Sequence, residues 1–480
     1  MRAGRFARSV LTLAAGGVAA QVVVFAARPV LSRLYTPEAF GVLGEFVALS
    51  ALVGLLATLR YEDAIVLPER EDRARSLLAL CVGVSLVVCG VAVLAVSPRE
   101  RIAAFFESPP LAPLLPLVPL VALLYAWGNA SQAWLARGHR FRLISVAIGL
   151  QSLSTVAVQL LAPETGAAGL VFGSVAGAIA FALVLMGSAL RERVFVGVAP
   201  EALAEVARRY VRFPRLGLPA TALGQVGSRL PPLALGALFG PAVVGQFGLA
   251  AASVLVPLAF LGDAIGQVFA VHGAEAQRSA SLAPLAERTL RRLLGLVLYP
   301  IAAVAILGPD LFAFVFGEPW RLAGEYARLL APWLALSVVV PPLTRAFDAT
   351  ERQDRELLAG GAVAMGVVVG LAVGSALGTP EATLLALGLG GAIGRFVQLV
   401  LAMSVAGVGA RGLGRAAAGP LARAAVCIAP SLVAFAVSTP LWTFVAAVAG
   451  GLVYVAWTLQ HENASGDESP EAESDERSDA

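Results

Sequence analysis

The sequence predicts an all-α integral membrane protein with about fourteen transmembrane helices: two six-helix lobes in a pseudo-two-fold repeat, plus two C-terminal helices. Three observations carry this prediction. The first is composition, 58% hydrophobic and only 14% charged over 480 residues, with a mean hydropathy of +0.81. Soluble domains run about 45–50% apolar and about 25% charged. The second is that apolar runs near the roughly 20 residues a helix needs to cross about 30 Å of hydrocarbon recur from end to end, which excludes a soluble domain on a single anchor. The third is an internal echo at an offset of 204 residues.

The chain opens with Arg2, Arg5 and Arg8 and the apolar run 10–27. A basic start and a small-residue end resemble a secretory signal, but the apolar part exceeds the usual core of about 7–15 residues and many spans follow, so it is read as a retained first span. The polar stretch RPVLSRLYTPEAFG, residues 28–41, closes that span. Pro37 lacks a donor and restrains the residue before it, so the first helix must end near Tyr35. Thr36 can cap the next helix, with Pro37 at its first position and Glu38 at its positive end. Gly41 and Gly44, one turn apart, let a neighbouring helix approach. A well-built turn explains all of this; a hinge or gate is the alternative.

Spans at 41–60, 76–97, 114–135, 143–162 and 168–190 complete an N-lobe over 1–190. A linker at 191–214 precedes a C-lobe over 215–410, with spans at 215–238, 242–262, 290–308, 324–346, 357–377 and 383–406. Pro231 and Pro232 predict a break or kink in the seventh span, and the prolines of LLAPWLALSVVVPPL predict a broken tenth. Spans 421–438 and 440–459, within 411–460, are an appendage, and the acidic tail 461–480 is expected to be disordered.

Orientation follows the arginines, because basic loops stay cytoplasmic. With the N-terminus inside, the inner connections, such as RYEDAIVLPEREDRARS and RGHRFR, are arginine-rich, whereas APETGAAG, FGPA, GTPEA and STP on the outside carry none. An even span count then places both termini in the cytoplasm.

The echo sets LYTPEAFGVLGEF (34–46) against LFGPAVVGQFGLA (238–250). It pairs Pro37 with Pro241, Gly41 with Gly245, Gly44 with Gly248 and Gln21 with Gln225. Six spans per copy give both copies one orientation, related by an axis along the membrane normal.

Several function classes drop out. Cys81, Cys89 and Cys427 sit in apolar segments without a C-x-x-C pair or a nearby histidine, so neither a metal site nor a disulfide framework is indicated. The chain has no lysine, so a phosphate-loop lysine cannot exist and the protein is not its own ATPase. No cofactor and no nucleic acid is called for, and a monomer is expected.

Ionisable residues at membrane depth are the functional candidates, since a central charge costs about 2.5–3.5 kcal/mol on insertion scales and usually faces a polar cavity. Arg229, inside the seventh span, is read as a cavity residue against the alternative of a structural ion pair. Arg28, Arg60 and Arg395 either join it or reach the headgroups. Asp263 and Glu45 either take up a coupling proton or neutralise an arginine. A guanidinium fork suits phosphate oxygens and stays charged, which favours a phosphate-bearing lipid over a neutral or cationic drug.

These segments, with ATLRYEDAIVLPERED, RFPRLGLPATAL, GDAIGQVFA, LFAFVFGEPWRLAGEYARLLAPW and ERQDRELL, resemble the bacterial oligosaccharide flippases of polysaccharide biosynthesis, from about residue 5 to 460. Those belong to the multidrug, oligosaccharidyl-lipid and polysaccharide exporter superfamily. The resemblance implies two lobes around a cavity that opens alternately to each side of the bacterial plasma membrane. It implies transport of an undecaprenyl diphosphate-linked oligosaccharide to the outer leaflet, with membrane lipids, a polymerase and chain-length regulators as partners, and Arg229, Arg28 and Arg60 as diphosphate ligands. A lipid II flippase or drug exporter of the same superfamily is the runner-up. A membrane polymerase or glycosyltransferase would carry a large outer loop, and no outer loop here exceeds about twenty residues.

Overall fold

The computed structural model describes residues 2–278, 282–437 and 440–466, and the described residues form helices joined by short turns, without a strand. The first lobe comprises α1 (Arg2–Leu34), α2 (Pro37–Ala57), α3 (Glu71–Ala95), a short α4 (Arg99–Phe105), α5 (Leu117–Arg137), α6 (Phe141–Leu161) and α7 (Ala167–Arg191). The amphipathic α8 (Pro200–Arg209) lies in the connection and packs on α3, burying Val206. The second lobe comprises α9 (Leu218–Arg278), α10 (Leu282–Phe316), α11 (Arg321–Leu343), a short α12 (Arg345–Ala349), α13 (Gln353–Leu377) and α14 (Pro380–Val405). The helices α15 (Ala410–Val437) and α16 (Pro440–Gly466) pack on α10. The tail beyond 466 lies outside the described residues.

Among the described residues ten helical stretches are long and apolar enough to cross a membrane, and one of them, 213–259, contains a break at Gly240 (φ 75°, ψ 179°). That break splits α9 into two predicted spans. The helix does not break at Pro231–Pro232: both prolines sit in continuous helix, and the glycine takes the left-handed φ that a non-glycine residue adopts only at a cost. The tenth span is interrupted only at Thr344, directly after Pro341–Pro342, where α11 gives way to α12. α11 runs through Pro332, Pro341 and Pro342, and α10 is longer than its predicted span. A proline removes one hydrogen bond, but packing on both sides can hold the remaining ladder, and α11 buries Trp333, Leu334 and Val338–Val340 in the second lobe's core.

The two lobes repeat one packing plan. In the first, α6 pairs with α7, α5 with α7, α3 with α5 and α2 with both α3 and α5. In the second, α13 pairs with α14, α11 with α14, α10 with α11 and α9 with both α10 and α11. Small residues permit a close seam: a methyl on Gly366 would lie 2.2 Å from the Gly390 carbonyl oxygen across α13 and α14. The string TPEA occurs twice and builds the same cap each time. Ala39 donates its N–H to the Thr36 hydroxyl, and Ala382 to that of Thr379, both at 3.3 Å.

The lobes meet chiefly along α2 and α9. A methyl on Gly41 would lie 1.7 Å from the Pro241 carbonyl oxygen, and one on Gly245 would lie 1.9 Å from that of Pro37. Gly41 and Gly245, and Pro37 and Pro241, are the repeat pairs, so each contact is the image of the other, as a two-fold contact must be. Gly44 abuts Val244, but a methyl on its repeat partner Gly248 would meet open space.

The turn between α10 and α11 locks the same end. Trp320 is fully buried, donates Nε1–H to the Ser32 carbonyl at 2.7 Å and meets Phe40 edge-on with centroids 5.0 Å apart. The Ser32 hydroxyl returns a bond to the Phe316 carbonyl at 3.0 Å.

Candidate functional site

Away from that closed end the lobes part around a cavity of about 370 Å³ lined by both. α2 contributes Phe46, Ser50 and Gly54 at helical spacing, α5 contributes Tyr125 and Asn129 one turn apart, and α9 contributes Gln225 and Arg229 one turn apart. Arg60 and Glu62 close the cavity from the loop after α2. The structure thus brings Arg60 and Arg229, from opposite lobes, into one space.

The two arginines are held differently. Arg60 has φ 65°, in the left-handed region, directly after Leu59 at φ 50°. Two successive side-chain-bearing residues there store strain and aim the guanidinium back over its own loop. It pairs with Asp63 at 2.5 Å and Glu62 at 3.6 Å. The Glu62 carboxyl also accepts from the Thr58 hydroxyl, and burial raises it above the ordinary carboxylate range. Arg229 has no acidic partner among the described residues. Its Nε–H donates to the Gln225 amide oxygen at 3.3 Å, and its two Nη groups have no partner among the described residues. Gln225 therefore orients Arg229 without neutralising it.

Arg28 and Arg395 are not in the lining. Arg28 lies over the Phe25 ring at 6.0 Å with Nη1 buried and unpartnered. Arg395 donates to the Gln398 amide at 2.8 Å from within α14. The Asp263 side chain lies outside the described residues. Glu45 is wholly buried where α2 meets α9, and a methyl on Gly236 would lie 2.8 Å from its Oε1. The buried Ser108 hydroxyl is the donor nearest its carboxylate, which otherwise has no partner, and among the described residues no arginine pairs with it, so the reading that Glu45 neutralises an arginine finds no such arginine there.

Reasoning from charge alone missed Gln225, Asn129, Tyr125 and Ser50. The signal that finds them is a polar residue inside an apolar run, one turn from a second one. Tyr125 is itself fixed by the Gln151 amide, which donates to its hydroxyl at 2.9 Å.

Two lobes of one plan, closed at one end and parted around uncompensated cationic charge, define the class: a multi-pass membrane protein with a transporter fold. The fold superposes on the lipid II flippase MurJ in an inward closed conformation, with a TM-score of 0.76 at 11% identity, over 95% of this chain and 99% of that one. It also superposes on a MOP superfamily transporter from Pyrococcus furiosus, with a TM-score of 0.52 at 15% identity, over 84% and 96%. An outward-facing multidrug resistance transporter of the MATE family gives 0.50 at 15% identity, over 85% and 96%. At such identities the likeness is one of fold. No curated protein matches the sequence. The chain belongs to the polysaccharide biosynthesis protein family, whose model matches residues 30–324, a range that includes the locked corner, Arg60 and Arg229.

Proposed function

We propose that the protein is a non-hydrolytic flippase that carries an undecaprenyl diphosphate-linked oligosaccharide from the cytoplasmic to the outer leaflet of the bacterial plasma membrane. The observation that carries this reading is Arg229, an oriented guanidinium without a counter-ion in a cavity between lobes. A dianionic head supplies the missing charge, because a guanidinium binds phosphate oxygens two at a time. Arg60 already has acidic partners, so the incoming diphosphate exchanges with Asp63 for it. The cavity is the size of a headgroup site, and the polyprenyl tail stays in lipid between the lobes.

Both termini are cytoplasmic in this reading, and the Gly41–Pro241 end is the outer one. Transport is then the exchange of that closure for one on the cytoplasmic side. Glu45 lies in the seam that must open, and a carboxylate without a cation is costly to bury. It is the group there suited to gain or lose a proton as the lobes part. The fold likeness to a lipid II flippase makes that substrate the second reading.

Deleting the gene should make lipid-linked repeat units accumulate on the cytoplasmic face; unchanged delivery in a strain without a paralogue would sink the claim. Rescue of peptidoglycan precursor export by this protein would favour the second reading. Reporter fusions at Pro163 and Pro380 should read as external, and cytoplasmic signals there would overturn the topology.

A further inference from the structure

A second unpaired cation lies outside the cavity, where α15 and α16 pack on α10. Each helix brings two residues one turn apart to this seam: Gly295 and Tyr299 from α10, Arg423 and Cys427 from α15, Tyr454 and Thr458 from α16. Tyr299 and Tyr454 stack with centroids 5.2 Å apart, and Tyr299 spends its hydroxyl on the Ala447 carbonyl. Gly295 leaves a notch beside them. A methyl there would lie 3.3 Å from Thr458 Cγ2 and 4.0 Å from Arg423 Nη2, which puts the guanidinium next to the threonine.

Three polar residues of this seam are left unsatisfied among the described residues. Arg423 makes no ion pair and no hydrogen bond among the described residues, and its Nε is buried. Tyr454 is 2% exposed, with a hydroxyl that has no partner, and Thr458 Oγ1 is buried without one. Native structures rarely leave three buried polar groups of one seam unpaired. A guanidinium and two hydroxyls, with no carboxylate among them, form a donor set for an anion.

Depth and surroundings identify the anion. Arg423 stands at the start of the sequence-predicted run 421–438 and Thr458 at the end of the run 440–459, which in that reading puts both near headgroup level, although α15 itself begins at Ala410. The adjoining faces of α15 and α16 are apolar and exposed, Val426 by 60% and Val453 by 58%. Arg291, one turn before Gly295 on α10, adds an exposed positive charge on the aqueous side. Basic niches between transmembrane helices with apolar flanks suit acidic lipid headgroups.

We propose that the α10–α15–α16 seam holds the phosphate of a resident anionic glycerophospholipid, with Arg423 as the charged ligand and the Tyr454 and Thr458 hydroxyls as neutral donors. The lipid ties the appended pair to α10 and so to the second lobe. This site is separate from the transport cavity and does not depend on what that cavity carries.

The test is native mass spectrometry of the purified full-length protein in mixed micelles of phosphatidylglycerol and phosphatidylcholine. The wild type should retain phosphatidylglycerol selectively, and Arg423→Gln should weaken retention about tenfold or more through loss of a charge-assisted bond. Thr458→Val, which keeps the charge, should weaken it by a few-fold, and Arg423→Lys should restore part of it. Equal retention by wild type and Arg423→Gln would overturn the proposal. So would displacement of the lipid by millimolar inorganic phosphate, which would make the occupant a free ion. Because the readout is lipid retention, the transport reading can fail while this one stands.

Discussion

The two lobes share a scaffold but not a chemistry. Helix pairing is the same in both, and the contact between them is built from repeat-related residues, Gly41 on Pro241 and Gly245 on Pro37. The charges break the symmetry. Moved by 204 residues, Arg229 falls on Phe25, Arg60 on Ala264 and Glu45 on the buried Leu249. A surface that meets its own image must be self-complementary, so both copies keep the small residues and prolines there. On the proposed function the cavity takes one ligand without two-fold symmetry, so each lobe is free to contribute different groups. The first supplies Ser50, Tyr125, Asn129 and Arg60, and the second supplies Gln225 and Arg229.

The sharpest test of that asymmetry is Arg229→Ala against Phe25→Ala. Loss of two charge-assisted hydrogen bonds, about 1.5–3 kcal/mol each, should cut delivery of lipid-linked oligosaccharide to the outer leaflet by about a hundredfold or more, whereas the Phe25 variant keeps the charge. Both must be compared at matched protein level. Equal losses would mean that Arg229 acts in packing.

The symmetric contact predicts matched effects. Gly41→Val and Gly245→Val each drive a side chain into backbone, and overpacking typically costs about 1–3 kcal/mol. Either should open the closed end, so that a cysteine placed at Val244, in a background lacking the three native cysteines, becomes reactive to a water-soluble maleimide. Reactivity in only one variant would break the two-fold reading. Gly248→Ala meets open space and should leave the labelling unchanged.

The Trp320 lock belongs to the second lobe alone, since its counterpart position holds Pro116. Trp320→Phe loses one neutral hydrogen bond, about 0.5–1.5 kcal/mol, and should raise Val244-position labelling by about fivefold. The smallest effects are at the TPEA caps. Thr36→Ala and Thr379→Ala should each cost about 1 kcal/mol and lower the thermal unfolding midpoint alike, because the same four residues make the same bond.

Much of this was legible in the chain. Apolar runs of bilayer length mark the helices because lipid leaves the backbone no other partner than itself. Thr36–Pro37–Glu38 marks the second helix start through local chemistry, and the glycine–proline echo marks the twin corner. Charge at depth pointed first to Arg229, and to Arg60 no more strongly than to Arg28 and Arg395, which lie outside the lining. Prolines predict breaks at Pro231–Pro232 and in the tenth span; packing carries α9 through the first pair, α11 ends only after Pro341–Pro342, and the connection expected at FGPA is the break at Gly240.

What the sequence by itself determined is therefore everything written along the backbone: where helices lie, how they are capped, which residues are small enough for close approach, and that the unit occurs twice. What only the tertiary structure decided is which way each helix faces. A helix reads the same in sequence whatever its rotation about its own axis, and that rotation is set by the neighbours it packs against. It is rotation that turns Gln225 and Arg229 toward Arg60, seals Glu45 between the lobes, and leaves Arg423 beside Thr458 without a counter-ion.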